Sequence, residues 1–389
     1  MKFDVVVVGG GLAGASLAVA LRGSGLRIGL VEHAPPAACK ENGFDQRIYA
    51  ISPASRRFLD EIGIWPLMNH GRIQPVHEMD IYGDGSGRLR FDAYASGLEA
   101  LAWIVESSAM RCELWETLKR QHNVELIVPA QGSALEVTDD EVSLTLDNER
   151  VVRASLVVGA DGGRSWVRTQ CGMSATSRSY DERGVVANFA CEQDHHGVAF
   201  QWFRDEAVLA WLPLPGRRIS MVWSAPEALA AEMMALNEAE LAQRVARAGA
   251  HRLGELVLES EPAAFPLRFM HVPECVGSRV ALIGDAARAI HPLSGHGINL
   301  GFQDAAALAR ILKALPSWRD PGELTLLRRY ARATAEESLV LQRSTDMLNR
   351  LFKSPNPLVR ALRNQGMNLT DRMPVVRDAL VRYATQGSL

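Results

Sequence analysis

A marked excess of charge of one sign is missing from this sequence. Lys and Arg number 42, Asp and Glu 45, a net of −3 over 389 residues. A nucleic-acid partner normally leaves a concentrated basic footprint, and none is present. Cysteine is scarce and unpatterned. Cys39, Cys112, Cys171, Cys191 and Cys275 are odd in number, scattered, and form no Cys-x-x-Cys. That argues against a disulfide framework or a zinc site and for a reducing compartment. The histidines do not supply a metal site either. His195, His196, His291 and His296 match no zinc spacing and have no supporting Cys or carboxylate cluster.

Long apolar runs are also missing, with one exception at the N-terminus, FDVVVVGGGLAGASLAVAL. A signal peptide or membrane span would want a basic start and an uninterrupted core. Here the only leading cation is Lys2, Asp4 sits inside the run, and four glycines punctuate it. A buried parallel strand, a tight turn and a packed helix fit better. With no second such run, the expected location is the cytoplasm. At 47% hydrophobic and 22% charged residues, the chain reads as a globular protein of two domains or one elaborated domain.

What is present begins with a βαβ unit: a strand over 4–8, a helix over 12–23, and a strand over 27–32. Residues 76–92 alternate and break at GDGSG, which predicts a hairpin. Gly83, Gly85 and Gly87 look superficially like a phosphate loop, but Arg88 follows and no helix does. The period over 99–121 predicts a helix. Short strands are expected over 124–158, alternating antiparallel strands over 184–224, and one or two helices over 226–251. A strand at 279–284 and a helix at 297–314 come next. Beyond about 325 the chain reads as helical, broken at SPNP, with eleven Arg or Lys against five Asp or Glu from Leu327 onward. That local excess reads either as a solvated helix face or as contact with an anionic membrane surface or partner enzymes.

Gly9-x-Gly11-x-x-Gly14 follows the first strand and opens the helix, and Glu32 ends the second strand. Gly9 permits the turn, Gly11 lets a pyrophosphate reach the backbone, and Gly14 lets helix and strand pack closely. The helix N-terminus offers free N–H groups and partial positive charge to the phosphates. Glu32 is placed to accept from a ribose 2′-hydroxyl, which favours FAD or NAD over NADP. The motif does not choose between those two.

Two further stretches do. LVVGADGGRSWVR carries Asp161-Gly162, with Arg164, Ser165 and Arg168 behind. GDAARAIHPLSGHGINLG carries Gly284-Asp285, then Pro292. With the glycine motif, in this order, they resemble the flavoprotein aromatic hydroxylases (class A flavin monooxygenases). HPLSGHGINLGFQDAAALA is similar in particular to the ubiquinone-biosynthesis hydroxylases. FDQRIYAIS (44–52), HHGVAFQWF (195–203), FPLRF (265–269) and the C-terminal VRALRNQGMNLTDRMPVVRDALVRYATQG fit the same family.

The resemblance implies a mixed α/β fold like that of p-hydroxybenzoate hydroxylase. A Rossmann-like FAD-binding domain (1–75, 98–180 and 270–325) holds an inserted antiparallel-sheet substrate domain (76–97 and 181–269), and a helical region (326–389) closes the chain. It implies bound FAD, with Gly9, Gly11 and Gly14 at its pyrophosphate, Glu32 at its ribose, and Arg47 near the pyrophosphate and the incoming NAD(P)H. Asp161 lies on the FAD and pyridine-nucleotide side. Gly284 and Asp285 serve the ribityl chain, and Pro292 fixes the turn. Gly295, Gly297, Ile298 and Asn299 bring backbone N–H groups to the flavin edge, where they stabilise the charge of the reduced ring. Gly301 serves packing. His291, Pro292 and His296 flank that edge and are the candidates for a catalytic role; no phenol-activating base is evident. NAD(P)H is a transient co-substrate, since there is no second dinucleotide fingerprint.

The chemistry so implied is reduction of FAD by NAD(P)H, then O2 activation as a flavin C4a-hydroperoxide, whose distal oxygen is attacked by an electron-rich phenol. A dry cavity protects that species, and Phe189, Phe200, Trp202, Phe203, Trp211 and Trp223 either line it or are plain sheet core. The substrate is a polyprenylated phenol or quinol, the alternatives being a small soluble phenol or a non-catalytic flavin-binding scaffold. Other ubiquinone-biosynthesis enzymes and a membrane surface are the expected partners besides O2 and the substrate. The sequence departs from the family wording at Arg288, usually His, at His296, usually Gln, and at Ser107, where Asn or Arg is common. Arg288 and His296 are expected beside the flavin.

Overall fold

The computed structural model describes residues 1–37, 43–204, 207–289, 297–354, 356–373, 376–378 and 380–381. His291, Pro292, Gly295 and His296 therefore lie outside the described residues.

The apolar N-terminus folds as strand Lys2–Val8 and helix Leu12–Ala20. Val5 and Val7 are wholly buried because both faces of the strand are covered. Around it a parallel sheet assembles in the order Val280–Leu282, Val151–Gly159, Lys2–Val8, Ile28–Val31, Val124–Ile127. An antiparallel extension, Gly132–Val137 with Val142–Leu146, hangs on one of its strands. In register, Val8 lies between Val31 and Gly159, Gly159 is beside Leu282, and Val31 is beside Ile127. The residues that follow each strand end thus emerge along one edge: Gly9, Glu32, Asp161 and Gly284-Asp285. In an open parallel sheet that edge is where ligands bind.

A second sheet runs Arg288–Ala289, Ala263–His271, Thr176–Cys191, Arg218–Pro226, Ala207–Leu214, Val198–Arg204, Glu78–Tyr82, Arg88–Asp92. It is antiparallel as expected, except that Val198–Arg204 runs parallel to Glu78–Tyr82. The predicted hairpin is present, with Glu78 opposite Asp92 and Tyr82 opposite Arg88. One face packs on helices Glu227–Ala235 and Glu238–Ala248. Phe189, Trp202, Trp211 and Trp223 belong to that core. Of the six aromatics weighed as cavity lining, only Phe200 lines the cavity described below.

Two expectations fail here. The helix read over 99–121 is a strand, Ala102–Glu106, running into helix Ser107–Lys119. LAWIVE is apolar enough for either structure, and antiparallel pairing with Ile48–Ile51 and Gln74–Val76 decides for strand. His195, in the turn between strands Thr176–Cys191 and Val198–Arg204, is buried, its Nε2 2.8 Å from the Leu214 carbonyl and its Nδ1 accepting from Gly197 N–H at 3.0 Å. Cys112 is disulfide-bonded, whereas Cys171, Cys191 and Cys275 are free. Spacing along the chain carries no information about thiols that meet through folding. Burial pushes the Cys171 thiol up to about 11 and Cys191 up to about 12, so both stay protonated and unreactive near neutrality.

Helices Gly297–Lys313, Leu324–Lys353 and Pro357–Asp371 complete the described chain. Tyr330 ties the second of these to the parallel sheet by donating to the Leu282 carbonyl at 2.8 Å. Among the described residues no helix is long and apolar enough to cross a membrane.

Candidate active site

A cavity of about 1250 Å³ runs from the carboxyl edge of the parallel sheet to the underside of the second sheet. Its polar end holds Gly9, Gly11, Glu32, Arg47, Asp161 and Asp285; Gly284, Gly297, Ile298 and Asn299 also line it. Every described member of the expected site set except Gly14 thus borders one space.

The three glycines of the first motif divide by what surrounds them. Gly9 sits at φ +107°, and a Cβ there would lie 2.4 Å from the Ala160 carbonyl oxygen. At Gly14 a Cβ would lie 2.0 Å from the Gly9 oxygen. Both are dictated by the protein's own backbone. Gly11 is different: nothing lies within 4 Å of a Cβ placed there. It is also the N-cap of helix Leu12–Ala20, without a side-chain cap. The protein's own packing therefore does not require glycine there, and the helix end stands open to the cavity.

Glu32 already has partners. Its Oε2 accepts from Gly10 N–H, and its Oε1 accepts from His33 N–H at 3.1 Å and lies 2.6 Å from His33 Nδ1. The carboxylate is held at the cavity wall beside the exposed His33 ring. Asp161 turns Oδ2 to the N–H groups of Trp166 and Val167, at 2.7 and 3.0 Å, and so caps helix Trp166–Gln170. Its Oδ1 is buried without a protein partner. Asp285 opens the 3₁₀ turn Gly284–Ala286. Its carboxylate is exposed to the cavity but ringed by protein; that burial raises its pKa from the ordinary 3.8, while Arg47 draws it down.

Asn299 does more than present its backbone. Its side chain accepts from Ser52 N–H and donates to the Ala50 carbonyl, both at 2.9 Å. It thereby fastens the first turn of helix Gly297–Lys313 to strand Ile48–Ile51, and with it aims that helix N-terminus at the cavity. Arg288, expected beside the flavin, is turned the other way. It is buried in an ion pair with Asp304 at 2.8 Å. Burial opposes its charge, but the Asp304 carboxylate together with Tyr330 and Cys275 holds the guanidinium pKa above its ordinary value.

Sequence reasoning missed Arg111, Tyr49 and Gln46, which line the same space. Arg111 Nε is a buried donor with no protein partner, suited to an anionic ligand. Ser107 shares a hydrogen bond with Tyr49, and burial raises the Tyr49 pKa, so its phenol stays neutral. Ser107 and Arg111 lie one helical turn apart, a signal visible once Ser107 is placed at the helix start.

The far end of the cavity is apolar. Met79, Phe91, Phe200, Val222 and Phe265 line it, and Gln201 and Ser224 are buried polar exceptions. Leu380 and Val381 from the C-terminal segment reach its wall.

The comparisons agree with this geometry. A family model described as an FAD binding domain matches residues 2–340. Ubiquinone hydroxylase UbiL of Rhodospirillum rubrum is 34% identical over 98% of this chain and 89% of its own length. The 3-demethoxyubiquinol 3-hydroxylase of Escherichia coli is 32% identical over 98% of both chains. Pseudomonas aeruginosa PqsL in complex with 2-aminobenzoylacetate aligns at a TM-score of 0.79 and 24% identity, over 95% of this chain and 100% of that one. The p-nitrophenol 4-monooxygenase PnpA of Pseudomonas putida aligns at 0.79 and 20%, over 99% and 98%. The last two likenesses speak to the fold alone. The chain belongs to the FAD-binding domain family, as an FAD-dependent aromatic hydroxylase similar to the ubiquinone-biosynthesis hydroxylases.

Proposed function

We propose that this protein uses NAD(P)H and O2 to hydroxylate the aromatic ring of a polyprenylated phenol or quinol in ubiquinone biosynthesis. The observation that carries this reading is a single cavity, polar at the strand ends and apolar beneath the second sheet, with room for a flavin and an aromatic ring together.

FAD supplies the redox chemistry and the activation of O2 when bound; the chain's residues position and insulate. Gly9 and Gly14 set the turn, while Gly11, the uncapped helix end and Arg111 receive the pyrophosphate. Glu32 takes the adenosine ribose. Asp285 accepts from the ribityl hydroxyls, with Arg47 beside it. The helix end at Gly297, Ile298 and Asn299 offers N–H groups and partial positive charge where the reduced ring carries its anion. Asp161 presents its free oxygen from the opposite wall. The apolar lining keeps water from the reacting atoms, and Gln201 and Ser224 offer polar contacts to ring substituents. His291, Pro292, Gly295 and His296 complete the flavin edge in this proposal, with the two histidines as candidates for proton handling. The parallel sheet forms the FAD-binding domain (1–75, 98–180, 270–325), the second sheet the substrate domain (76–97, 181–269), and 326–389 the closing helical region. Peripheral contact with a membrane and with other enzymes of the pathway suits a polyprenyl substrate.

Intermediate profiling in a deletion strain tests the reading. Accumulation of a ring-deficient quinone precursor, restored to the mature quinone by the gene in trans, is the expected result. An unchanged quinone profile would overturn it.

A further inference from the structure

Helix Pro357–Asp371 is amphipathic in the inverted sense. Its polar side chains face the protein: Asn364 Oδ1 accepts from Gly87 N–H at 2.8 Å, Asn368 Oδ1 from Arg88 N–H at 3.0 Å, and Asp371 Oδ1 from Arg90 N–H at 2.8 Å. The spacing i, i+4, i+7 puts these acceptors on one helix face, against the outermost strand of the second sheet. Arg363 adds an ion pair with Asp84 in the same hairpin turn. Gly83 and Gly87 are glycine because a Cβ at either would lie 2.5 Å from Asn364 Oδ1.

The leucines point outward. Leu358, Leu362 and Leu369 are 68%, 59% and 61% exposed. At 3.6 residues per turn they fall within an arc of about 40°, opposite the acceptors. Met373, Val376 and Leu380, further along the chain, are exposed as well, and Leu380 with Val381 reaches the cavity wall. The acids of this segment are turned inward, Asp371 to Arg90 N–H and Asp378 to the Ser96 hydroxyl. Arg372 remains exposed beside the leucines, whereas Arg360 turns back to pair with Asp84 at 3.3 Å.

We propose that this face docks on an anionic lipid bilayer, setting the Leu380 side of the cavity against the membrane so that an apolar substrate enters from lipid. The choice of a bilayer rests on the proposed function and on charge. A second copy related by a two-fold axis would bring Arg372 toward its own copy, whereas an anionic headgroup pairs with it. Half-exposed leucines flanked by arginine are the pattern of a helix lying in the headgroup plane.

The test is sedimentation of the full-length, FAD-loaded protein with vesicles of phosphatidylcholine, with and without phosphatidylglycerol. Binding to the phosphatidylglycerol vesicles, weakened by salt and by Arg372→Glu, is expected. Leu358→Gln/Leu362→Gln/Leu369→Gln should lower the partition at least about tenfold, with FAD content and melting temperature unchanged. A wild type that fails to sediment, or a triple variant that sediments equally, overturns the proposal. So does a concentration-dependent dimer that the triple variant dissolves, which would make a second copy the occupant. Vesicle binding without any hydroxylase activity would leave this surface standing and remove the proposed function.

Discussion

Arg288 Nη1 lies 2.8 Å from Asp304 Oδ1, with the two side chains 6% and 0% exposed. The other Asp304 oxygen accepts from Gly284 N–H at 2.8 Å. One buried carboxylate therefore joins helix Gly297–Lys313 to the turn that carries Asp285. The family's departure at 288 bears on this joint and not on the flavin face.

Breaking that pair from one side should be costly. Arg288→Met strips Asp304 of its counter-ion in the core, where burial already raises its pKa, and removal of one partner of a buried pair costs about 3–5 kcal/mol. Denaturant unfolding of the FAD-free variant should show a loss of that size. A loss under about 1 kcal/mol would mean that the pair is not buried as described.

The glycine motif separates folding from binding. Gly14→Ala forces a Cβ to 2.0 Å from the Gly9 oxygen, and the expected outcome is poor yield or a lowered melting temperature before any flavin is added. Gly11→Ala meets nothing within 4 Å and should melt like the wild type while its FAD affinity falls roughly tenfold or more, since the methyl takes the pyrophosphate's place. Flavin titration with thermal melts of both FAD-free proteins checks the contrast. Equal effects at the two positions would refute it.

These positions also mark what was legible in the sequence. The glycine motif, Glu32, Asp161-Gly162 and Gly284-Asp285 could be read because each is a local device at a strand end, and parallel register then gathers them. Arg111 could not be read, because LAWIVE hides where its helix begins. Arg288 was misplaced because its partner, Asp304, is a helix away in sequence and its orientation is a packing decision. The tail composition marked residues beyond Leu327 as basic, but not that the last described long helix binds the sheet through its asparagines and leaves its leucines outside.

Asn299 offers a test of the cavity's architecture. Asn299→Ala removes the acceptor of Ser52 N–H and the donor to the Ala50 carbonyl, both in the interior. Leaving buried partners unmet costs about 1–3 kcal/mol. Denaturant midpoints should fall accordingly. Asn299→Asp keeps the acceptor but sets a buried carboxylate oxygen against the Ala50 carbonyl, and at neutral pH should lower the midpoint at least as much as alanine.

Asp285 sets stability against binding. Its folded-state pKa is raised above the ordinary 3.8 by burial, with Arg47 opposing. A group with a raised folded pKa contributes stability below its unfolded pKa and loses it as pH rises through the folded value. At neutral pH the FAD-free protein therefore holds an ionised carboxylate that it would be more stable without. Asp285→Asn should raise the melting temperature of the FAD-free protein at pH 7, a difference that shrinks as pH falls toward 3.8. In the proposed placement of FAD, the same substitution removes a charged acceptor for the ribityl hydroxyls, worth about 1.5–3 kcal/mol, or roughly 10- to 100-fold in FAD affinity. In the wild type, FAD affinity should weaken as pH drops through the raised pKa, and the variant should lack that dependence. Melts without flavin and fluorescence titrations with it, across pH 4 to 8, measure both halves. A variant that retains FAD as tightly as the wild type would sink the assignment of Asp285 to the flavin.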